Sequence, residues 1–456
     1  MKSLTKNIPI YLYAIALVAI VSLCFIIVQK SEIPVRAAEN SPITDKADWE
    51  NTSKETPYPA QSDDPLPASD TEAEKAVRLY SDSIPRSALR DERYAYAQTI
   101  YGNGQTELLD VFQTSVGVYV FLKTTSEQGD VCGTAPCVGI VKMDSYGNIQ
   151  AAKSMLPAYA DHYIAAAPTA IGLVLVTADR TDTYYYISIL PYDLSPATPY
   201  RIPAAKGGQI LQTATSFLFF ASYETETIVY SHENGEIKFQ SIRAGEITDL
   251  FEFSTYYIVY SSDLREHSYA ISRFDKKTLA LLSEKNVQDA QIKRVFPVFD
   301  NGSSSYILLE ERNDCVYAVS SDKPMFSSVE NAKKIGNFTL SQAYYDGKDI
   351  LIVCKGNING IIKLSPDLTA KVSETNADYI PTSILDSYFS GSSLFYLTTD
   401  RNQSVTLVYT KNDSVFYRYF DFLTENAKII MHIDGTLSLF YQDGDDVKII
   451  GISADA

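Results

Sequence analysis

Short apolar runs alternate with polar breaks along most of the chain, and the alternation repeats. Eight times an apolar stretch is followed by a turn at or near Gly, a second apolar stretch, a polar break and a third strand-like run. The second stretches begin near Gly117, Gly172, Ser216, Ser254, Gly302, Gly347, Gly391 and Gly435, at spacings of 55, 44, 38, 48, 45, 44 and 44 residues. Runs of this length bounded by Gly, Asn and Asp read as strands. The sixth unit shows the grammar. Residues 338–345 alternate loosely and predict a first strand. Asp346-Gly347 is a two-residue hairpin signal, because both positions tolerate positive φ. Residues 349–354 are continuously apolar, as in a strand buried on both faces. Residues 361–364 predict a third strand, Ser365-Pro366-Asp367 a turn, and residues 369–373 a more polar fourth. Burial is expected to fall from the first strand to the fourth. No unit carries the pattern of a long helix.

A repeat of about 45 residues built only of short strands is the period of a β-propeller blade. The expected fold is all-β, a β-propeller of eight four-stranded blades over residues 93–456, with seven blades as the alternative count. An open solenoid or two stacked sandwiches would share the strands but not the closure. Closure is suggested by the eighth unit, which lacks a fourth strand after residues 448–452. Residues 93–101, strand-like and upstream of the first unit, could supply it. The chain thus resembles β-propellers of the WD40, YVTN and quinoprotein-like kind, of the bacterial, exported and membrane-anchored type. The resemblance is architectural. The only Trp is Trp49, so the Trp-Asp blade ending and the Trp-docking pattern are missing. The resemblance implies a fold and no activity.

The N-terminus adds a second expectation. Residues 8–28 are 21 almost uniformly apolar positions, enough for a helix crossing about 30 Å of hydrocarbon. Lys2 and Lys6 precede them, so residues 1–7 are expected in the cytoplasm and the propeller outside. The competing reading is a cleaved signal peptide ending near Ala37, which would leave a secreted protein. An h-region of 21 residues is long for a signal peptide, which favours a single-pass anchor in the cell membrane. From residue 38 to 75, ten acidic residues against three lysines, interspersed with Pro, predict a disordered linker. Thr71-Glu-Ala-Glu74 resembles a capping box, so a brief helix running to Tyr80 is one option at the domain entrance.

The net charge of −17 argues against nucleic acid as a partner, because phosphate binding needs a basic surface. Five cysteines give no disulfide framework. Cys132 and Cys137 are the candidate disulfide, and Cys315 and Cys354 are expected buried and free. A zinc site at Cys132 and Cys137 lacks a second ligand pair. No cofactor is expected. Residues 442–446 could hold Ca²⁺, but a solvated acidic turn is the plainer reading.

The loops between second and third strands form the candidate functional face. Four of them pair an acid with an arginine, which singles out Arg180, Arg265, Arg312 and Arg401 as candidates to grip a carboxylate or sulfate. A repeated solvated turn explains the same pattern. His162 and His432 are expected in first strands, and none of the four histidines sits in a hydrolase or metalloprotease motif. The tyrosine pairs could stack sugars, though alternation makes most of them sheet packing. The expected role is a membrane-tethered module that binds or scaffolds protein or glycan. The alternative is a carbohydrate-active hydrolase or lyase with its site in the funnel.

Overall fold

The computed structural model describes residues 80–83 and 94–101 and, with breaks at several loops, residues 105–453. The apolar run 8–28, the linker 38–75, Cys132, Arg265, His267 and Arg401 lie outside the described residues. One compact unit comprises 59–252 and 257–456; Phe253–Tyr256 belong to a second unit, and their two rings stack at 4.6 Å.

The strands form eight antiparallel sheets in a β-propeller. Blades 1 to 7 are consecutive four-stranded meanders over residues 106–154, 162–203, 207–243, 246–288, 291–336, 338–372 and 383–423. Blade 8 takes three strands from residues 427–453, and its fourth is Tyr94–Tyr101, paired with Asp446–Ser453 from Tyr94↔Ile452 to Ile100↔Val447. The upstream segment therefore closes the ring. A fifth strand, Tyr80–Ser83, is added outside it with Tyr80 opposite Tyr101. Tyr80 thus begins a strand.

Second strands start within three residues of the expected positions, at Gly117, Gly172, Phe217, Tyr256, Ser303, Ile350, Ser393 and Thr436. Glycine is required at some of these turns. Gly172 has φ 141°, and a Cβ there would lie 2.3 Å from the Leu190 carbonyl oxygen. Its neighbour Thr169 closes the hairpin by donating its hydroxyl to the Gly172 carbonyl at 2.8 Å.

Burial does not fall steadily from the first strand outward. It peaks in the second: Gly172–Ala178 is buried throughout, while the preceding first strand, His162–Thr169, is half-buried up to its last residue. A first strand has sheet on only one side, so its inner backbone edge is left open, whereas the second strand is flanked by strands and by adjoining blades. The outer strand Leu281–Gln288 is mostly exposed, as expected.

Hydrophobic clusters span the seams between blades. Ile100, Leu108, Val120, Phe440 and Ile449 join blade 8 to blade 1, and Tyr119, Phe121, Leu173 and Leu175 join blade 1 to blade 2. Ile100 is fully buried and sits in the closing strand. Truncating it removes packing from both sides of the closure. Ile100→Ala is expected to cost about 2–4 kcal/mol in urea unfolding, while Val116→Ala at an exposed hairpin tip should stay within about 0.5 kcal/mol.

Candidate functional site: the polar belt of the first strands

In six blades the first strand carries a β-bulge at its start, at 108/110, 163/165, 247/249, 292/294, 340/342 and 384/386. A bulge inserts one unpaired residue, raises the local twist and re-aims the side chain that follows. Three of the following residues are Asp110, Asp249 and Asp386. Each reaches a neighbouring blade. Asp249 accepts the Val295 amide at 2.7 Å and lies 3.5 Å from Arg294. Asp386 accepts the Ile429 amide at 2.8 Å. Asp110 accepts the Tyr163 hydroxyl at 3.1 Å and lies 3.6 Å from Lys428. Tyr344 and Ser387 join their hydroxyls between blades 6 and 7. The belt thus runs from Asp249 through Arg294, Tyr344, Ser387, Asp386, Lys428 and Asp110 to Tyr163.

A second set of contacts reaches the residue just before the bulge. Glu311 accepts the Leu340 amide at 2.6 Å, Gln442 accepts the Leu108 amide at 2.8 Å, and Ser262 donates to the Ile292 carbonyl at 3.2 Å. Gln442 also donates to the Thr106 carbonyl at 2.7 Å. The acidic turn that it opens, considered above for Ca²⁺, is therefore tied to the seam between blades 8 and 1.

Burial shapes the electrostatics of the belt. It pushes the Asp249 carboxyl up to about 6, with Arg294 and the Val295 amide pulling the other way. Asp386 is raised by the same cause, with the Ile429 amide and Lys428 opposing. The Tyr163 hydroxyl is pushed far up by burial and by Asp110.

The candidate arginines have different surroundings. Arg312 ends the second strand of blade 5 and is tied to Glu310, a fully buried carboxylate that also accepts the Tyr269 hydroxyl at 3.2 Å. Its guanidinium lies 5.6 Å from the Tyr317 ring. The turn after it, Asn313-Asp314, has both residues at positive φ. Its sequence neighbour Glu311 pairs instead with Lys293 at 2.9 Å. Arg180 is exposed in the turn after Ala178, where Asp179 accepts the amides of Thr181 and Thr183.

Cys137 opens the third strand of blade 1, is fully buried and is disulfide-bonded. Cys354 is buried and outside any disulfide, whereas Cys315 is only half-buried, with its thiol donating to Asn337 at 3.3 Å. Its strand starts at the loop end of the blade, where neighbouring blades cover less.

His162 opens the first strand of blade 2 between Asp182, at 3.0 Å, and Asp161, at 3.4 Å. His432 falls just after its first strand, in the hairpin, and shares a hydrogen bond with the buried Ser438. His232 stacks on Phe217, and burial lowers its pKa. Among the tyrosine pairs, Tyr185 donates to the Ala205 carbonyl at 2.6 Å, while Arg201 lies 4.7 Å from the Tyr184 ring. Among the described residues no group of three or more His, Cys, Asp or Glu side chains is placed to hold a metal ion.

Sequence reading passed over the bulge acids. Their signal is an apolar residue, one intervening residue and Asp early in a first strand: Leu108-Leu-Asp110, Ile247-Thr-Asp249 and Ile384-Leu-Asp386. It is three residues long and visible only once the strands are aligned.

Two outcomes follow. Arg312→Ala strands the Glu310 charge and is expected to cost about 3–5 kcal/mol, whereas Arg180→Ala should change stability by less than about 0.5 kcal/mol; urea midpoints separate them. The folded-state pKa of Asp249 lies above its ordinary 3.8, so the folded protein binds this proton more tightly. Its stabilisation is full below about pH 4 and is lost as pH rises through about 6, by at most about 3 kcal/mol. Between pH 4.5 and 7 the wild type should therefore lose stability relative to Asp249→Asn, which urea unfolding across that range measures.

No protein-family model matches the sequence, and none of the curated proteins matches it. Solved structures match at low identity. The chain is similar to Hsv2 of Kluyveromyces lactis at 13% identity and a TM-score of 0.40, over 61% of this chain and 90% of that one. It is similar to the β-propeller domain of the trilobed protease of Pyrococcus furiosus at 10% identity and 0.36, over 77% and 91%. A eukaryotic initiation factor matches at 10% identity and 0.43, over 72% and 79%.

Proposed function

We propose that this chain is an extracytoplasmic, membrane-tethered β-propeller that serves as a binding or scaffolding module for protein or glycan. The observation that carries this reading is the use made of the first strands. Their half-buried carboxylates Asp110, Asp249 and Asp386 hold amides, hydroxyls and cations of adjoining blades. Charges placed in this way stiffen a ring, and a stiff ring presents its loops as a fixed surface.

Export is supported by the apolar run 8–28 behind Lys2 and Lys6 and by the acidic linker that follows. A disulfide at Cys137 suits an oxidising compartment. Cys132, five residues away in the sequence, is the candidate partner. The chain also enters the propeller at a defined place. Tyr80 pairs with Tyr101, which lies at the start of the strand beginning at Asp446, next to the turn after Asp443. That is the end of blade 8 where second and third strands connect. A tether would therefore reach the face that carries Arg180 and the other second-to-third loops.

Proximity labelling around the full chain in its native envelope tests the reading. Enrichment of a defined set of envelope proteins or of glycan, lost when the loops of the Arg180 face are exchanged for Gly-Ser, is expected. Labelling no different from background, together with cleavage of a polysaccharide panel by the purified chain, would overturn it.

A further inference from the structure

At the loop end of blade 2 the two nitrogens of one imidazole each face a carboxylate. His162 Nδ1 lies 3.0 Å from Asp182 Oδ1, within hydrogen-bond distance, and Nε2 lies 3.4 Å from Asp161 Oδ2. A neutral imidazole has one N–H, so one of its nitrogens would turn a lone pair toward a carboxylate. Only the imidazolium donates from both. The two acids differ in setting. The side chain of Asp161 is 6% exposed and that of Asp182 is 65% exposed. Asp161 Oδ1 is buried and accepts no hydrogen bond from the described residues. A buried carboxylate without a cation is costly, and His162 is the cation that meets this one.

The acids belong to different pieces of backbone. Asp161 directly precedes the first strand, and its amide donates to the Ala178 carbonyl at 3.0 Å. Asp182 lies in the turn between second and third strands, with φ 51° in the left-handed region. That turn, residues 179–183, presents Arg180 at the surface. His162 therefore ties the turn to a buried anchor. The other ionisable groups of the adjoining elements have other settings. Asp179 accepts the amides of Thr181 and Thr183 at 3.2 and 2.9 Å. Tyr185, on the third strand, is raised in pKa by burial and by Asp182, and donates to the Ala205 carbonyl. Arg201, on the fourth strand, lies against the Tyr184 ring. Tyr163 lies on the opposite face from His162 by alternation and donates to Asp110 of blade 1. On the blade 3 side Gly208 lies beside Ile164, Tyr223 donates to the Pro203 carbonyl, and the exposed Lys206 stands at the entrance to the strand.

We infer that His162 is a proton-operated latch on the 179–183 turn, closed while the imidazole carries both protons and released when it loses one. Histidine is the side chain type whose charge changes near neutral pH. The His162 side chain is 39% exposed, so its proton exchanges with water without movement of the blade. Once deprotonated, the ring keeps a single N–H and can serve one acid, not two. Asp182 is exposed and takes water in exchange, whereas Asp161 is buried and does not. The remaining proton therefore stays on Nε2 with Asp161, and the turn is what lets go. An ion pair with so exposed a partner is weak, so the latch biases the turn by a few-fold and does not lock it. Arg180 is thus held at acidic pH and loosened toward neutral pH. The latch needs neither a ligand nor a membrane, so it stands or falls apart from the binding role.

Hydrogen–deuterium exchange of the full chain in mild detergent tests the latch, read by mass spectrometry at about pH 5 and about pH 8 and corrected for the intrinsic pH dependence of exchange. The 179–183 segment should be about threefold or more better protected at the lower pH. His162→Gln, uncharged at both, should remove the difference. The turn after Asp275, where Lys277 and Thr278 donate their amides to the Asp275 carboxylate at 3.0 and 2.7 Å, is the reference and should show none. Circular dichroism reports whether the variant folds. Should it not fold, Asp182→Asn at an exposed position takes its place and should likewise flatten the response. Equal protection of the wild-type segment at the two pH values overturns the proposal. So does a pH response that a folded variant retains, since another group must then cause it.

Discussion

The closing strand is the constraint on which the molecule depends. Seven blades are made from continuous stretches of chain, and the eighth is not. Tyr94–Tyr101 must find Asp446–Ser453 across more than 340 residues of sequence before blade 8 has its outer half. Closing so long a loop costs entropy that grows only slowly with length. What it returns is a ring without free first and last blades. Ile100 carries the closure into the core by packing among Leu108, Val120, Phe440 and Ile449, from both blades at the junction.

Closure also requires each blade to be turned relative to the last by a regular amount, and the bulges of the first strands contribute to this. A bulge leaves one residue out of the ladder and frees backbone groups beside it. Those groups are then used between blades, as when Leu340 and Leu108 donate their amides to Glu311 and Gln442. The side chain after the bulge acts in the opposite direction, and Asp249 and Asp386 take amides from the blade that follows. Outer contacts repeat as well. Tyr119 donates to the Tyr192 carbonyl and Lys153 to those of Leu194 and Ser195 between blades 1 and 2. Tyr260 donates to the Pro324 carbonyl and Lys285 to that of Phe326 between blades 4 and 5. Leu194 and Phe326 share positive φ and burial, so equivalent lysines hold equivalent turns three blades apart. A buried carboxylate is costly unless it is paired and hydrogen-bonded, and the raised pKa of Asp249 shows that its partners compensate the burial only in part.

The fold was largely legible because its signals are local. Asp346-Gly347 marks a hairpin, the apolar run around Ile352 marks a strand covered on both faces, and the 45-residue period marks the blade. Even the closing strand could be read, as a segment with no unit of its own and a last unit one strand short. The candidate site was not legible, because its partners lie in different blades. Asp110 and Lys428 are more than 300 residues apart, and no spacing relates them. Arg312 was singled out because an acid stands next to it, yet alternation sends Glu311 to the opposite face. The buried partner is Glu310, across the strand end from Tyr269. A charged pair in a loop reads alike whether it waits for a ligand or is already spent, and only burial separates the two. The turns with Leu194, Leu279, Phe326 and Leu368 in the left-handed region were equally hidden, since an apolar residue with positive φ breaks the rule by which turns are read.

The same reasoning bears on the outer rim. A propeller solves its edge problem around the axis by closure, but each blade still ends in an outer strand, so eight edges remain. Shortening serves blades 2, 5 and 6, charge serves blade 3, and the chain's own N-terminal strand serves blade 8. These devices are inexpensive, because an outer strand contributes little to the core. Leu281–Gln288 is almost entirely exposed and still completes its sheet. The outer strand of blade 7 does more: Phe420 lies in the core that this blade shares with blade 8, Phe422 packs against it, and Phe416 ends a ladder of rings at the rim. Phe395 and Tyr409 would stack without Phe416, and neither Tyr419 nor Leu423 contributes a buried side chain. Phe416, Tyr419 and Leu423 are the part of this strand that its own blade leaves to solvent.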